Sequence, residues 1–261
     1  MCGRYATARA RQELIDEFQV QLDATEDAVR PDYNVAPTKL VPAVLTRAPR
    51  PADGSEALAE QAEQQAVRQL RALRWGLVPS WAKDPKIGNR MINARAETVH
   101  EKPSYRRAFA KRRCLLPADG FFEWYNLERE GHKPAKQPFF IRPRDGAVMA
   151  MAGLYELWRS PEDEWLWTCT VITTQATDDV GRIHDRMPMT VAPDHWDAWL
   201  DPELTALEDV RGLLVPAMNG TMEAFPVSKA VNNVRNNGPE LIQPAADGHI
   251  SGDEPGSSAL F

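Results

Sequence analysis

The residue best suited to covalent chemistry stands almost at the front of the chain. Cys2 lies between Met1 and Gly3, a context that invites removal of the methionine, which leaves an α-amine beside a thiol. An α-amine with a pKa near ~8 is substantially neutral at cytosolic pH and attacks an aldehyde to give an imine, whereas lysine at ~10.4 is mostly protonated. The neighbouring thiol can close on the imine carbon. The five-membered thiazolidine so formed ties up both heteroatoms and resists hydrolysis better than a simple imine. Met-Cys also begins proteins that never use it, so the remaining polar residues decide.

Four further segments offer chemistry. In Met91–Thr98, Asn93 and Arg95 are two apart, so an extended chain turns an amide and a guanidinium to one face with Ala94 behind them. The same NARAET string also reads as a favourable helix start. Phe121-Phe-Glu-Trp-Tyr125 sets one carboxylate in an aromatic strand; enclosed there, Glu123 would titrate nearer neutrality, as a proton donor and acceptor requires. An edge strand would instead expose it to water. Gly181–Pro188 carries His184 and Arg186, a proton-transfer group near a phosphate-binding one, although a lone histidine is more often structural. Trp75-Gly-Leu-Val-Pro-Ser-Trp81 ends an apolar strand in a turn that pushes Trp81 outward, where an indole stacks on a nucleobase for about 1–3 kcal/mol. Trp75, Trp165 and Trp167 read as core.

The elements that must position these groups are mostly strands. Strand-like runs occur at Leu40–Thr46, Leu73–Val78, Cys114–Ala118, Phe121–Tyr125, Phe139–Arg142, Val148–Leu157 and Trp165–Thr174. Helical spacing is confined to Ala8–Phe18, with Thr7 as its cap, and to Ser104–Arg113, Asp194–Leu200 and Leu204–Leu214. This predicts an α+β fold with a largely antiparallel, barrel-like sheet and peripheral helices. One domain over residues 1–244 is expected, with an exposed and dispensable insertion at about 50–69 and a disordered tail at 245–261.

Composition narrows the class. Of 261 residues, 43% are hydrophobic and 26% charged, as in an ordinary globular protein. No apolar run reaches the ~20 residues of a membrane helix, and the charged N-terminal stretch is not a secretory signal, so a cytoplasmic protein is expected. Cys2, Cys114 and Cys169 form neither a disulfide framework nor a metal-ligand spacing. The net charge of −6 disfavours nucleic acid as a whole-molecule field, but Lys102, Arg106, Arg107, Lys111, Arg112 and Arg113 crowd one stretch and leave a local anion-binding face.

Seven blocks taken together resemble the SOS-response-associated peptidase family, the abasic-site-processing proteins. They are Cys2-Gly-Arg-Tyr5, Tyr33-Asn-Val-Ala-Pro37, Trp75–Trp81, Ile92-Asn-Ala-Arg-Ala-Glu97, Gly120-Phe-Phe-Glu-Trp124, Ile183-His-Asp-Arg-Met-Pro188 and Glu240-Leu-Ile-Gln-Pro244. The resemblance implies a protein that binds single-stranded DNA and crosslinks Cys2, through a thiazolidine, to the ring-opened aldehyde of an abasic site. It implies that Asn93, Glu123 and His184 assist that chemistry. Arg95 and Arg186 would clamp phosphates, and Thr173 would be a further site position. Removal of Met1, strand scission and crosslink reversal are associated activities it implies. No cofactor is expected, the partner is abasic single-stranded DNA, and the chain is expected to act as a monomer away from membranes. Two rival readings are an N-terminal-nucleophile amidohydrolase of the glutamine amidotransferase kind, whose glutamine-binding motifs are not apparent, and a non-catalytic single-strand binding module.

Overall fold

The computed structural model describes residues 2–25, 28–48, 66–127 and 135–245. The chain order is β1 (Tyr5–Thr7), α1 (Arg11–Glu17), β2 (Leu22–Ala24), β3 (Asp32–Val35), β4 (Leu40–Arg47), β5 (Val67–Trp75), β6 (Asn93–Arg95), α2 (Arg106–Lys111) and β7 (Arg113–Ala118). There follow β8 (Gly120–Leu127), β9 (Ala135–Pro143), β10 (Met149–Arg159), β11 (Trp165–Gln175), α3 (Asp178–Ile183), β12 (Arg186–Pro188), α4 (Trp196–Leu200), α5 (Leu207–Gly212) and β13 (Met222–Pro226). No helix of the described residues is long and apolar enough to cross a membrane.

The strands β11, β10, β7, β4 and β5 hydrogen-bond in that order, and β5 returns to β11 through the parallel pairs Thr168–Arg74 and Cys169–Trp75, which closes a five-stranded barrel. A second, antiparallel sheet runs β13-β9-β8-β1-β3. The expected α+β architecture with a barrel-like, mostly antiparallel core is what forms. Period-two alternation sends successive barrel residues to opposite sides. Val41, Ala43, Leu73, Trp75, Cys114, Leu116, Met151, Cys169 and Val171 share one cluster with Cys2, Tyr5 and Phe121 of the second sheet. Val44, Leu70, Leu115, Ala152 and Ile172 share another with Leu14, Phe109, Trp196, Trp199 and Val210 from the helices. Helices α1, α2, α4 and α5 therefore cover one side of the barrel wall, and the other side packs, with α3, under the sheet that carries the chain's front end.

Several expectations are corrected. Thr7 is a buried strand residue and not a helix cap; helix α1 begins after Ala10, whose N–H donates to Glu13 Oε2 at 3.2 Å. Strand β5 starts at Val67, so Val67, Arg68 and Gln69 belong to the barrel and not to an insertion, and the Gln69 side chain is fully buried. Residues 50–65 of that expected insertion lie outside the described residues, as does the tail from 246. Trp165 is 57% exposed, because it ends the β10–β11 hairpin, where no layer covers it. Trp167 is half-buried beneath the guanidinium groups of Arg47 and Arg71, whose central carbons lie 5.0 and 4.4 Å from its ring centroid. NARAET forms no helix: Asn93–Arg95 is a strand, paired in parallel with Val171–Thr173.

Candidate active site

Cys2 is reached by building outward from β8. That strand is flanked by β9 along its length and by β1 at Phe121 and Gly120, so it is not an edge. Gly120 must lack a side chain, since a Cβ there would come within 2.5 Å of Ile141 O and 2.6 Å of the Phe140 ring. The segment preceding β1 continues the pairing, with Phe122 N–H donating to Arg4 O at 3.0 Å. This draws Cys2–Arg4 alongside Glu123. Cys2 is fully buried, and its thiol donates weakly to Arg4 O at 3.7 Å.

Strand β6 supplies the opposite support. Asn93 Nδ2 donates to the Cys2 carbonyl at 2.7 Å, while Tyr105 Oη donates to the Asn93 carbonyl at 3.2 Å. Asn93 Oδ1 is buried and has no hydrogen-bond partner among the described residues, which leaves an acceptor beside Cys2 for an N–H donor. Ala94 is buried behind it, and Arg95, two residues on, is exposed, as the alternation requires.

A cleft of about 600 Å³ opens beside these residues, lined by Gly3, Arg4, Glu123, Trp124, Asn126, Lys136, His184 and Asn232. Glu123 is 4% exposed, and burial raises its carboxyl above the usual range, with the chain's amino terminus and His184 drawing it partly back. Burial, reinforced by the Glu123 charge, pushes the Cys2 thiol far above its ordinary value. The same low-dielectric surroundings thus push both groups toward their protonated forms. His184 ends α3, and its Nδ1 accepts the Arg186 N–H at 3.0 Å and stands 2.8 Å from Asp185 Oδ1.

The structure thus brings Cys2, Asn93, Glu123 and His184 to one place. Thr173 and Arg186 are joined to each other beside it: Arg186 Nη2 donates to Thr173 O at 2.5 Å, and both Nη atoms fork onto Glu97 at 2.7 and 3.1 Å. Thr173 is fully buried, so its side chain offers no surface. Trp81 stands apart on the Pro79–Ala82 turn, 57% exposed, with Ala82 O accepting the Trp158 indole N–H at 2.7 Å. The basic stretch is smaller than expected: Arg113 is buried and Arg112 pairs with Glu156 at 2.6 Å, which leaves Lys102, Arg106, Arg107 and Lys111 exposed.

Arg4, Trp124, Lys136 and Asn232 line the cleft without having been singled out. Arg4 Nη1 donates to Asn34 Oδ1 at 2.5 Å and to Val231 O at 3.0 Å, and its guanidinium lies 5.9 Å from the Trp124 ring centroid. Trp124 Nε1 donates to Asn232 Oδ1 at 2.7 Å. Asn34 is fully buried, and its Nδ2 donates to the carbonyls of Val231, Asn233 and Asn236 at 3.2, 3.1 and 3.0 Å. The blocks beginning at Cys2, Tyr33 and Gly120 contained the signal for Arg4, Asn34 and Trp124. Lys136 and Asn232 had none.

The chain matches the SOS response associated peptidase (SRAP) family over residues 1–234. It is 40% identical over 250 residues to the abasic site processing protein YoaM of Bacillus subtilis (strain 168), covering 96% of this chain and 100% of the relative. It is 36% identical over 245 residues to the abasic site processing protein HMCES of Gallus gallus, covering 84% of this chain and 68% of that one. A crystal structure of a protein from Bacteroides thetaiotaomicron shares the fold, with a TM-score of 0.73 at 24% identity over 94% of this chain and 100% of the other. Because the likeness extends from the front of the chain through the barrel and across every cleft-lining residue up to Asn232, this chain belongs to the SOS response associated peptidase family.

Proposed function

We propose that this protein processes abasic sites in single-stranded DNA by forming a thiazolidine crosslink through Cys2. The observation that carries the reading is the grip of Asn93 on the Cys2 carbonyl, at 2.7 Å, beside a cleft that Glu123 and His184 line. Cleavage of the Met1–Cys2 bond frees the α-amine. That amine adds to C1′ of the ring-opened deoxyribose, and the resulting carbinolamine loses water to give an imine. The Cys2 sulfur then bonds to the same carbon while the thiol proton passes to the nitrogen, so that one water is released overall. Glu123, its carboxyl raised by burial, donates a proton to the leaving hydroxyl and takes one back in the reverse direction. Its placement also suits opening of the sugar ring and later reversal of the crosslink.

The DNA strand is read as following the exposed Arg95 and Trp81, with a phosphate on the former and a base stacked on the latter. Arg186 borders that path, with the buried Thr173 behind it; a phosphate reaching Arg186 has to displace Glu97 from its fork. Intact mass spectrometry of the protein with an abasic oligonucleotide tests the proposal. The expected spectrum shows loss of Met1 and a single adduct heavier by the oligonucleotide minus one water. Cys2→Ser is expected to leave at most a borohydride-trappable imine or a weak oxazolidine. A heat-stable adduct at wild-type yield from that variant would rule out closure through sulfur.

A further inference from the structure

The guanidinium of Arg186 is committed on two sides. Its two Nη atoms hold the carboxylate of Glu97 at 2.7 and 3.1 Å, and Nη2 also donates to Thr173 O at 2.5 Å and to Thr173 Oγ1 at 3.3 Å. The side chain is only 14% exposed. A bidentate, charge-assisted fork of this kind fixes geometry as well as energy.

What it fixes is the relation between two walls of the site. Glu97 lies on the turn after β6, the strand that carries Asn93, and Ala96 N–H on that turn donates to Thr173 O at 2.9 Å. Arg186 opens β12, which is three residues long and lies on β11 in the register Thr173–Pro188 to Gln175–Arg186, with Ala176 N–H donating to Asp185 O and Met189 N–H to Ile172 O, both at 2.9 Å, on either side of it. To these backbone bonds the Arg186 fork adds a side-chain anchor that ties β12 to the β6 turn as well. The backbone N–H of this same Arg186 donates to His184 Nδ1 at 3.0 Å. A ring nitrogen that accepts an N–H is unprotonated, so the neutral imidazole carries its proton on Nε2. Asp185 Oδ1, 2.8 Å from that same Nδ1, is a favourable neighbour only when Nδ1 bears a proton. The two arrangements exclude each other, and an Arg186 amide held on Nδ1 favours the first.

We propose that Glu97 is a positioning residue for His184: by pinning Arg186 to the β6 turn and the end of β11, it keeps the Arg186 amide on His184 Nδ1 and so selects the Nε2-protonated ring. This inference rests on the crosslinking reading of the site, and it assigns the Glu97–Arg186 pair to chemistry and not to grip on the DNA backbone.

Glu97→Gln in the full chain keeps the shape and removes the charge that holds the fork. Three quantities are read: affinity for undamaged single-stranded DNA, single-turnover adduct formation at saturating abasic strand, and the ¹⁵N resonances of the His184 ring. Affinity is expected to stay within about twofold, adduct formation to slow about tenfold, as displacement of a catalytic group does, and the ring to shift away from the Nε2-protonated form. Arg186→Lys keeps a cation but not the fork; it should slow the reaction to a similar degree, and the double variant should be no slower than either alone. A wild-type rate and ring signature in Glu97→Gln overturns the proposal. So does tighter DNA binding with unchanged ring resonances, which would make Glu97 a mere competitor of phosphate. Should the wild-type protein form no adduct at all, the reading of Cys2 fails, and the ¹⁵N signature still decides whether the tie sets the histidine.

Discussion

Glu123 carries a desolvation cost that its neighbours at the amino terminus and His184 offset only in part. Its carboxyl is buried between aromatic neighbours and held above the usual carboxylate range, with burial as the main cause. A group whose folded pKa lies above its unfolded one contributes stability that is fully present below the unfolded value and is lost as pH rises through the folded value. Glu123→Gln, which cannot ionise, is therefore expected to melt a few degrees higher than wild type at pH 8, with the gap closing by about pH 4, below the ordinary glutamate value. Thermal melts across that range check it; an equal or lower melting point at pH 8 contradicts it. The same variant is expected to form adduct at least about a hundredfold more slowly, since an amide cannot cycle a proton. Stability gained together with activity lost is the behaviour of a residue kept for its chemistry.

At the scale of elements, the helices meet at one buried cation. Arg113, at the start of β7, donates from Nε to Trp199 O at 2.7 Å, from Nη1 to Phe109 O and Ala110 O at 2.9 and 2.8 Å, and from Nη2 to Asp201 O and Leu204 O at 2.5 and 2.9 Å. These carbonyls lie in or just after α2 and α4, where helices leave acceptors without intrahelical partners. Burial lowers its pKa to about 10, which still leaves it charged at neutral pH. Arg113→Met strands those acceptors, and an expected loss of about 3 kcal/mol lowers the melting temperature by about 6–12 °C. Adduct formation well below that temperature should be unchanged, because none of these groups lines the cleft; a slowed reaction in folded protein would contradict this. The sequence grouped Arg113 with its basic neighbours because nothing in a run of cations marks the one that points inward. The long strands were legible from their apolar content, and Cys2, Asn93, Glu123 and His184 from reactive groups set in strand-like or pre-proline contexts. The parallel closure of β5 on β11 was not legible, since it joins residues more than ninety positions apart through backbone alone. Asn232 faces the cleft for a similar reason: Asn34, some two hundred positions away, holds its neighbours' carbonyls.

For the molecule as a whole, the question is how a chain of net charge −6 takes hold of a polyanion. A field of that sign repels DNA at long range, so attraction has to come from a few cations close to the lesion. Lys136 lines the cleft, Arg95 is exposed on β6, and Lys102, Arg106, Arg107 and Lys111 are exposed on and around α2. The last group is not remote, because Tyr105, which leads into α2, donates its hydroxyl to Asn93 O. With about three phosphates engaged, affinity for undamaged single strands should fall about twentyfold between 50 and 200 mM salt, as counterion release prescribes. Such a grip is weak and reversible, which suits the covalent attachment proposed above. Arg106→Glu with Arg107→Glu is expected to weaken that binding and to flatten the salt dependence by about one unit of slope. Its single-turnover rate at saturating abasic strand should stay within about twofold of wild type, since neither residue lines the cleft. Anisotropy titrations at several salt concentrations, paired with gel-resolved adduct formation, separate the outcomes. An unchanged slope removes α2 from the path of the DNA, and a slower saturated rate at unchanged affinity means that the helix acts by shaping the strand behind Cys2.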